Sequence, residues 1–328
     1  MRHYGGNVAI ALSSAWTKMS AFANNMSTEE YIAKLLGTKP KIPLPCFNLI
    51  NAGLHGAFDK KNKPFNPIQE LMLIPVSDSF EQGYEKIMLV FQNLKKISGE
   101  SLVGKEGGIS PKLPFTKSLQ LLEKSIKEAG YMTRDFRVAL DAAASEFYDI
   151  ETKKYTPVSG EKPKNIDEMI DFYKKLVKNS PIKFFSVEDP FNQNDFSSFA
   201  ILQRELRNII LFGDDLYATN LERLKKGLER QATKGIIIKP NQNGTISGTL
   251  EVIKYSLKNK LINIISHRSN QAPGDLLNAY LAIATGQMIK YGSSRGERVE
   301  AYNEILRIER DAKIFGKKLE YAGKNLLK

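Results

Sequence analysis

The sequence predicts an α/β fold, a (β/α)8 barrel with helices outside a ring of strands. Three observations carry this. Short apolar runs alternate with helical segments from about residue 40 onward. Six of those runs end in a polar residue: Asp141, Glu188, Asp214, Lys239, His267 and Lys290. The gaps between these residues are 47, 26, 25, 28 and 23, where a barrel of about 250 residues averages roughly 31 per strand–helix unit. Strand alternating with helix argues for a parallel sheet covered on its outside.

Residues 1–38 read as helical. "NVAIALSSAWTKMSAFA" spaces its apolar residues as a helix does, and "STEEYIAKLLG" opens on a Ser-x-x-Glu capping box and closes on Gly37. The start also carries a weak secretory-signal pattern, which Tyr4, Trp16 and Lys18 interrupt; an amphipathic helix is the expected structure. "KPKIPLPCFNLINAG" is a Pro-bounded entry into a strand, which divides the chain into a helical unit, 1–40, and a barrel, 41–328. Strands are expected in "FRVALDAAASEF", "KFFSVEDPF", "NIILFGDDL", "GIIIKPNQ", "INIISHRSN" and "GQMIKYGSS". Helices are expected in "NIDEMIDFYKKLVKNS", "FSSFAILQRELRN", "NLERLKKGLERQA", "TLEVIKYSLKNK" and "DLLNAYLAIAT". The one long gap holds "FYDIETKKYTPVSG", which reads as a strand–turn–strand insertion.

Composition narrows the function. The 328 residues are 42% hydrophobic and 26% charged, and no stretch approaches the roughly 20 apolar residues of a membrane span. The net charge of +12 comes from 48 basic and 36 acidic residues. The lysines lie scattered among acids, without an Arg-rich arm or interleaved aromatics. That suits a small anionic substrate rather than a nucleic acid. Cys46 is the single cysteine, so no intrachain disulfide forms, which fits a reducing cytosol. No Gly-rich nucleotide loop follows any strand, which favours a barrel over an open doubly wound sheet.

In a barrel all strand ends of one sense converge on one face. Asp141, Glu188 and Asp214, from three successive strands, would then meet. Converging carboxylates repel and are costly to desolvate, and a hard divalent cation resolves both problems. All-oxygen ligation points to magnesium or manganese. Lys239, His267 and Lys290 follow in strand order. A lysine beside a cation and a second lysine has its neutral form favoured, as a general base requires. A metal next to such a base suits proton abstraction from a carbon alpha to a carboxylate.

"SVEDPF", "GDDLYATN", "KPNQNGT", "SHRS" and "ATGQMIKYG…R…ER…YNEILRIE" together resemble the enolase family, as do "VALDAAASEF", "GKEGGISP" and "IQELMLIP" in the same order. The resemblance runs from about residue 5 to residue 312. It implies an enolase-type barrel and a Mg²⁺-dependent, reversible dehydration of 2-phosphoglycerate to phosphoenolpyruvate. It implies that Asp141, Glu188 and Asp214 hold the tighter Mg²⁺, that Lys239 takes the C2 proton, and that Lys290 pairs with the substrate carboxylate. Glu106 would protonate the departing hydroxyl, assisted by Glu70. His267, Arg268 and Ser269 would meet the phosphate, and His55 and Gln69 match further substrate-binding positions. Read alone, Glu70 is more simply a surface acid and His55 a loop histidine, and "GKEGG" could be a turn. The family also implies a cytoplasmic homodimer.

The chain departs from the family in places. By this resemblance residue 1 is expected to fall within the helices of the family's N-terminal capping domain, after its small sheet and the lid loop whose serine helps bind a second Mg²⁺. Residues 1–40 then read as a helical remnant of that domain. The loop "NAGLHGAFDKKNKPFNP" is altered and lengthened around His55, and "SHRSNQAPGD" is remodelled behind the phosphate triplet. "GKEGG" sets Lys105 beside the acid, where a cation would favour ionised Glu106. Two other readings follow. One is a related acid–base enzyme of the superfamily acting on another carboxylate. The other is a chain with little activity that acts by binding, with Lys328 engaging a lysine-binding partner as some family members do at cell surfaces.

Overall fold

A computed structural model describes residues 5–59, 63–99, 101–268 and 274–327. His3, Ser269 and Lys328 lie outside the described residues.

Eight strands close into a barrel; seven lie in their expected segments, and the second forms in "IQELMLIP", where no strand is expected. They are β1 (Leu44–Asn51), β2 (Glu70–Pro75), β3 (Phe136–Asp141), β4 (Phe184–Glu188), β5 (Ile210–Gly213), β6 (Gly235–Ile238), β7 (Ile262–Ser266) and β8 (Met288–Lys290). Each pairs with the next, and β8 pairs back onto β1 with Cys46 opposite Lys290. Ile236, Ile237 and Ile238 of β6 are fully buried, as a strand between a filled barrel and its helices requires.

One strand breaks the expected all-parallel pattern. β2 runs antiparallel to both neighbours, with Asn51 opposite Glu70 and Glu70 opposite Asp141. The physical reason is its connection. The connection from β1 to β2, residues 52–69, holds among its described residues no α-helix of the kind a parallel crossover needs. As a result the first residue of β2, not its last, lies at the end of the barrel where the other strands finish.

The outer layer follows its caps. α3 (Phe80–Ser98) starts where Ser79 accepts a hydrogen bond from Gln82 N–H, 3.2 Å. α4 (Phe115–Glu128) packs beside it. α5 (Ile166–Asn179) has a complete capping box between Asn165 and Glu168, 2.9 and 2.8 Å. α6 (Phe196–Glu205), α7 (Leu221–Glu229), α8 (Pro240–Asn243), α9 (Ile246–Lys258), α10 (Leu277–Thr285) and α11 (Arg298–Ile314) complete the ring. The insertion after β3 is a small antiparallel ladder, Tyr148–Asp149 against Lys154–Tyr155. A second ladder, Leu102–Val103 against Ile109–Ser110, docks on β1 through Ile50 and Ile109.

Before β1 come two helices, α1 (Gly5–Ala23) and α2 (Thr28–Leu36). Ser27 N–H donates to the Glu30 carboxylate, 3.1 Å, and Gly37 closes α2 in the left-handed region, φ 72°. α1 buries Thr17 and Ala21 and lets Ser13 Oγ accept from Ile246 N–H, 2.9 Å. Its other face exposes Val8, Leu12, Trp16, Met19 and Phe22, the last two aromatics 70% and 84% exposed. Among the described residues no helix is long and apolar enough to cross a membrane.

Candidate active site

The polar strand ends meet at one mouth of the barrel. Lys290, the last residue of β8, places Nζ 2.8 Å from Glu70 Oε2, 2.9 and 3.0 Å from the two Glu188 oxygens, and 3.4 Å from Asp141 Oδ2. All four side chains are buried. Lys239, directly after β6, pairs with Asp214 Oδ2, and its backbone N–H donates to Thr219 Oγ1, 2.8 Å. Four carboxylates thus share two ammonium groups, a shortfall of two positive charges when all are ionised. Asp214 Oδ1 is buried with no hydrogen-bond partner among the described residues. The oxygen donors of Asp141, Glu188 and Asp214, on three successive strands, therefore fit a hard divalent cation in charge and in chemistry.

The crowding shows in proton affinities. Burial pushes the Asp141 carboxyl up to about 6 against the pull of Lys290. Burial, and then the Asp141 charge, raise Glu188 well above the usual carboxylate range despite Lys290. The protein's own groups do not by themselves favour the neutral form of Lys239; the expectation counts on a cation beside it. Burial and Lys290 pull its affinity down, but Asp214 and Glu188 outweigh them and hold the ammonium above its ordinary range. A cation on Asp214 would compete for that carboxylate, and the contact with Lys239 is the one it would weaken.

A second group of residues sits beside β1 and β2. Glu106 lies on the turn of the Leu102–Ser110 ladder. Gly107 takes φ 81°, Lys105 N–H donates to His55 O at 3.0 Å, and Arg298 Nη2 donates to Lys105 O at 2.9 Å. Glu106 Oε2 accepts from Asn48 Nδ2 at 3.1 Å and lies 3.2 Å from His267 Nε2. His55 Nδ1 is 3.0 Å from Glu70 Oε1 and 3.9 Å from Glu106 Oε1, so it bridges the two acids. One ligand atom from each of His55, Glu70 and Glu106 lies within 4.8 Å of the others, a second group able to hold a metal. His267 stacks on Tyr291 with ring centroids 4.9 Å apart. Burial raises Glu106, but His267, then His55 and Lys290, carry it well below the usual range. The expected ionised bias is present, yet it comes from these groups; Lys105 is exposed.

Gln69 joins through its backbone: its N–H donates to Asp141 O, 3.1 Å, and its O accepts from Ala52 N–H, 2.7 Å. Arg268 is exposed, close enough to Asp215 for its charge to favour that carboxylate. Ser269 falls outside the described residues. Sequence reasoning missed Asp189, whose two oxygens accept from Asp214 N–H at 3.0 Å and Asp215 N–H at 2.7 Å. Its signal, an Asp-Pro after a strand, reads only as a turn. It also missed Asn48, a lone amide inside the apolar run "CFNLI"; a buried polar group in such a strand is the signal.

A closed barrel with one reversed strand, and carboxylates and lysines gathered at one mouth, defines a class of barrel proteins equipped for acid–base chemistry at a cation site. Residues 39–328 match the family described as enolase, C-terminal TIM barrel domain. The chain is 39% identical over 337 aligned positions to the enolase of Sulfurisphaera tokodaii, covering 98% of this chain and 75% of that protein. It is 40% identical to the enolases of Saccharolobus islandicus and Sulfolobus acidocaldarius, covering 98% of this chain and 74% of each. The chain belongs to the enolase family.

Proposed function

We propose that this chain interconverts 2-phosphoglycerate and phosphoenolpyruvate with Mg²⁺ held by Asp141, Glu188 and Asp214. The observation that carries the reading is the placement of the base relative to the acids. Lys239 follows β6 and Glu70 opens β2, four strands apart in a ring of eight, so they face each other across the barrel mouth. Glu70 is linked through His55 to Glu106. Dehydration needs both sides: a base for the C2 proton and an acid for the departing C3 hydroxyl, since hydroxide is a poor leaving group.

Lys239 Nζ takes the C2 proton. Lys290, now shared among Glu70, Asp141 and Glu188, turns its ammonium to the substrate carboxylate. Glu106 acts in its protonated form: it delivers that proton to the C3 oxygen as the C3–O bond breaks and water leaves, and in the reverse direction its carboxylate accepts a proton from the water whose oxygen bonds to C3. His267 and Arg268 stand by the phosphate, with Ser269 assigned there by resemblance. When bound, Mg²⁺ supplies Lewis-acid stabilisation of the charge that develops on the substrate carboxylate.

The same reading takes residues 1–40 as part of a capping unit and 41–328 as the catalytic barrel. The exposed apolar stripe on α1 supports it, because such a stripe on a stable chain marks a contact surface. A cytoplasmic homodimer belongs to this reading. The test is ultraviolet absorbance of phosphoenolpyruvate formed from 2-phosphoglycerate, with and without Mg²⁺, beside Lys239→Ala. A Mg²⁺-dependent rise that disappears in Lys239→Ala is expected. Activity surviving that substitution removes Lys239 as the base; no rise in the unsubstituted chain removes the reaction.

A further inference from the structure

β1 carries a register break. Asn48 pairs with Met72 and Ile50 with Leu71, so Leu49 is an extra residue in the strand. Bulges beside active sites re-aim side chains. Asn48 is fully buried between Phe47 and Leu49, where a buried amide left unpaired is destabilising. Its Nδ2 donates to Glu106 Oε2, 3.1 Å. Oε2 only accepts, both in the carboxylate and in a carboxyl whose proton sits on Oε1, so chemistry fixes which end of the amide faces it.

The backbone tightens the same link. Asn48 N–H donates to Gly292 O, 3.2 Å, and Ser293 N–H donates to Glu106 O, 3.0 Å. The strand, the acid's loop and the segment after β8 are therefore tied at one point. His267 approaches the same carboxylate oxygen, but an imidazole changes its charge and can turn to a phosphate. An amide does neither.

We infer that Asn48 is a positioning residue for Glu106, holding Oε2 so that Oε1 is presented for proton transfer at the substrate's leaving hydroxyl. The inference rests on the proposed dehydration. Asn48 touches neither substrate nor cation; it acts by fixing one rotamer of the acid. Misplacement of a catalytic group by about 1 Å costs roughly 10²-fold.

The experiment separates the two half-steps. Exchange of the C2 hydrogen of 2-phosphoglycerate with solvent deuterium breaks and re-forms one C–H bond, with the proton passing through Lys239, and needs no acid at C3. Phosphoenolpyruvate formation needs both. Asn48→Leu, close in volume but without a donor, is measured with Mg²⁺ for both readouts, and Asn48→Ala is the second variant. Thermal unfolding checks that each is folded. The expected result is a fall in kcat for phosphoenolpyruvate formation of about 10–100-fold, with the KM for 2-phosphoglycerate and the C2 exchange rate close to those of the unsubstituted chain. An equal fall in both rates assigns Asn48 a merely structural role and overturns the inference, as does no fall in either. An unsubstituted chain that performs neither step overturns the proposed function itself, and the inference with it.

Discussion

The two sides of the candidate site are built differently. On one side, Asp141, Glu188, Asp214 and Lys239 close or directly follow β3 to β6, four successive parallel strands. Their backbones are fixed by the barrel ladder, and their side chains meet because the ladder brings them together. On the other side, Glu106 stands on a glycine-rich turn, and what holds it is a set of contacts from elsewhere: Asn48, His267, His55 and Arg298. The first side inherits its geometry from the fold. The second has to assemble it, so in the proposed reaction it should be sensitive to residues that touch no substrate.

The largest effect that would break this contrast is on the base. Lys239→Ala is expected to stop both C2 exchange and phosphoenolpyruvate formation, by about 10²–10⁴-fold. Measuring the two rates on one protein decides it, and an unchanged exchange rate would place the base elsewhere. Glu106→Gln keeps shape and removes the transferable proton. It should lower phosphoenolpyruvate formation by a factor of the same order while leaving C2 exchange running. If Glu106→Gln also stops exchange, the two sides do not act separately and the comparison fails.

The difference in construction also sets what was legible in the sequence. The six strand ends from Asp141 to Lys290 could be found by spacing alone, because parallel strands repeat one direction and put their last residue at one mouth. Glu70 could not be found that way. β2 runs the other way, so its polar residue comes first in the strand, and a search of strand ends would return Pro75 instead. Glu106 and His55 lie in loops, where no period exists, and only resemblance to a family picked them out. Asn48 and Asp189 act through hydrogen bonds between elements distant in sequence, to Glu106 and to the backbone of Asp214 and Asp215. Nothing local in "CFNLI" or "VEDPF" encodes those partners. The balance of the protein's own charges around Lys239 was illegible for a related reason. Strand order shows a second lysine nearby, but not that Asp214 is the closer and stronger neighbour.

A smaller effect tests the assembled side without touching its acid. A Cβ built on Gly104 would come within 2.2 Å of Asn51 Cβ, and Asn51 Oδ1 accepts from Gly108 N–H at 3.0 Å to hold the far end of the same turn. Gly104→Ala must therefore push the turn off β1 and move Glu106. Phosphoenolpyruvate formation should fall by about 10²-fold with C2 exchange spared; a fall in exchange of the same size would show that the turn also supports the base.

The smallest effect probes the side that the ladder supplies. Asp189 sits at φ 42°, a left-handed conformation that a non-glycine residue adopts at some cost, and it is buried. What it gains is two backbone donors, Asp214 N–H and Asp215 N–H, which fix the chain just where β5 hands over to the proposed cation ligand Asp214. Outer partners of this kind typically change metal affinity by 10–100-fold when lost. Because β5 remains paired to β4 and β6 on both flanks, Asp189→Ala should fall at the low end, with Mg²⁺ affinity weakened by about tenfold in calorimetric titration. A loss as large as that from Asp214→Ala would mean that the ladder alone does not position this side. Both halves of the site would then be assembled from remote contacts.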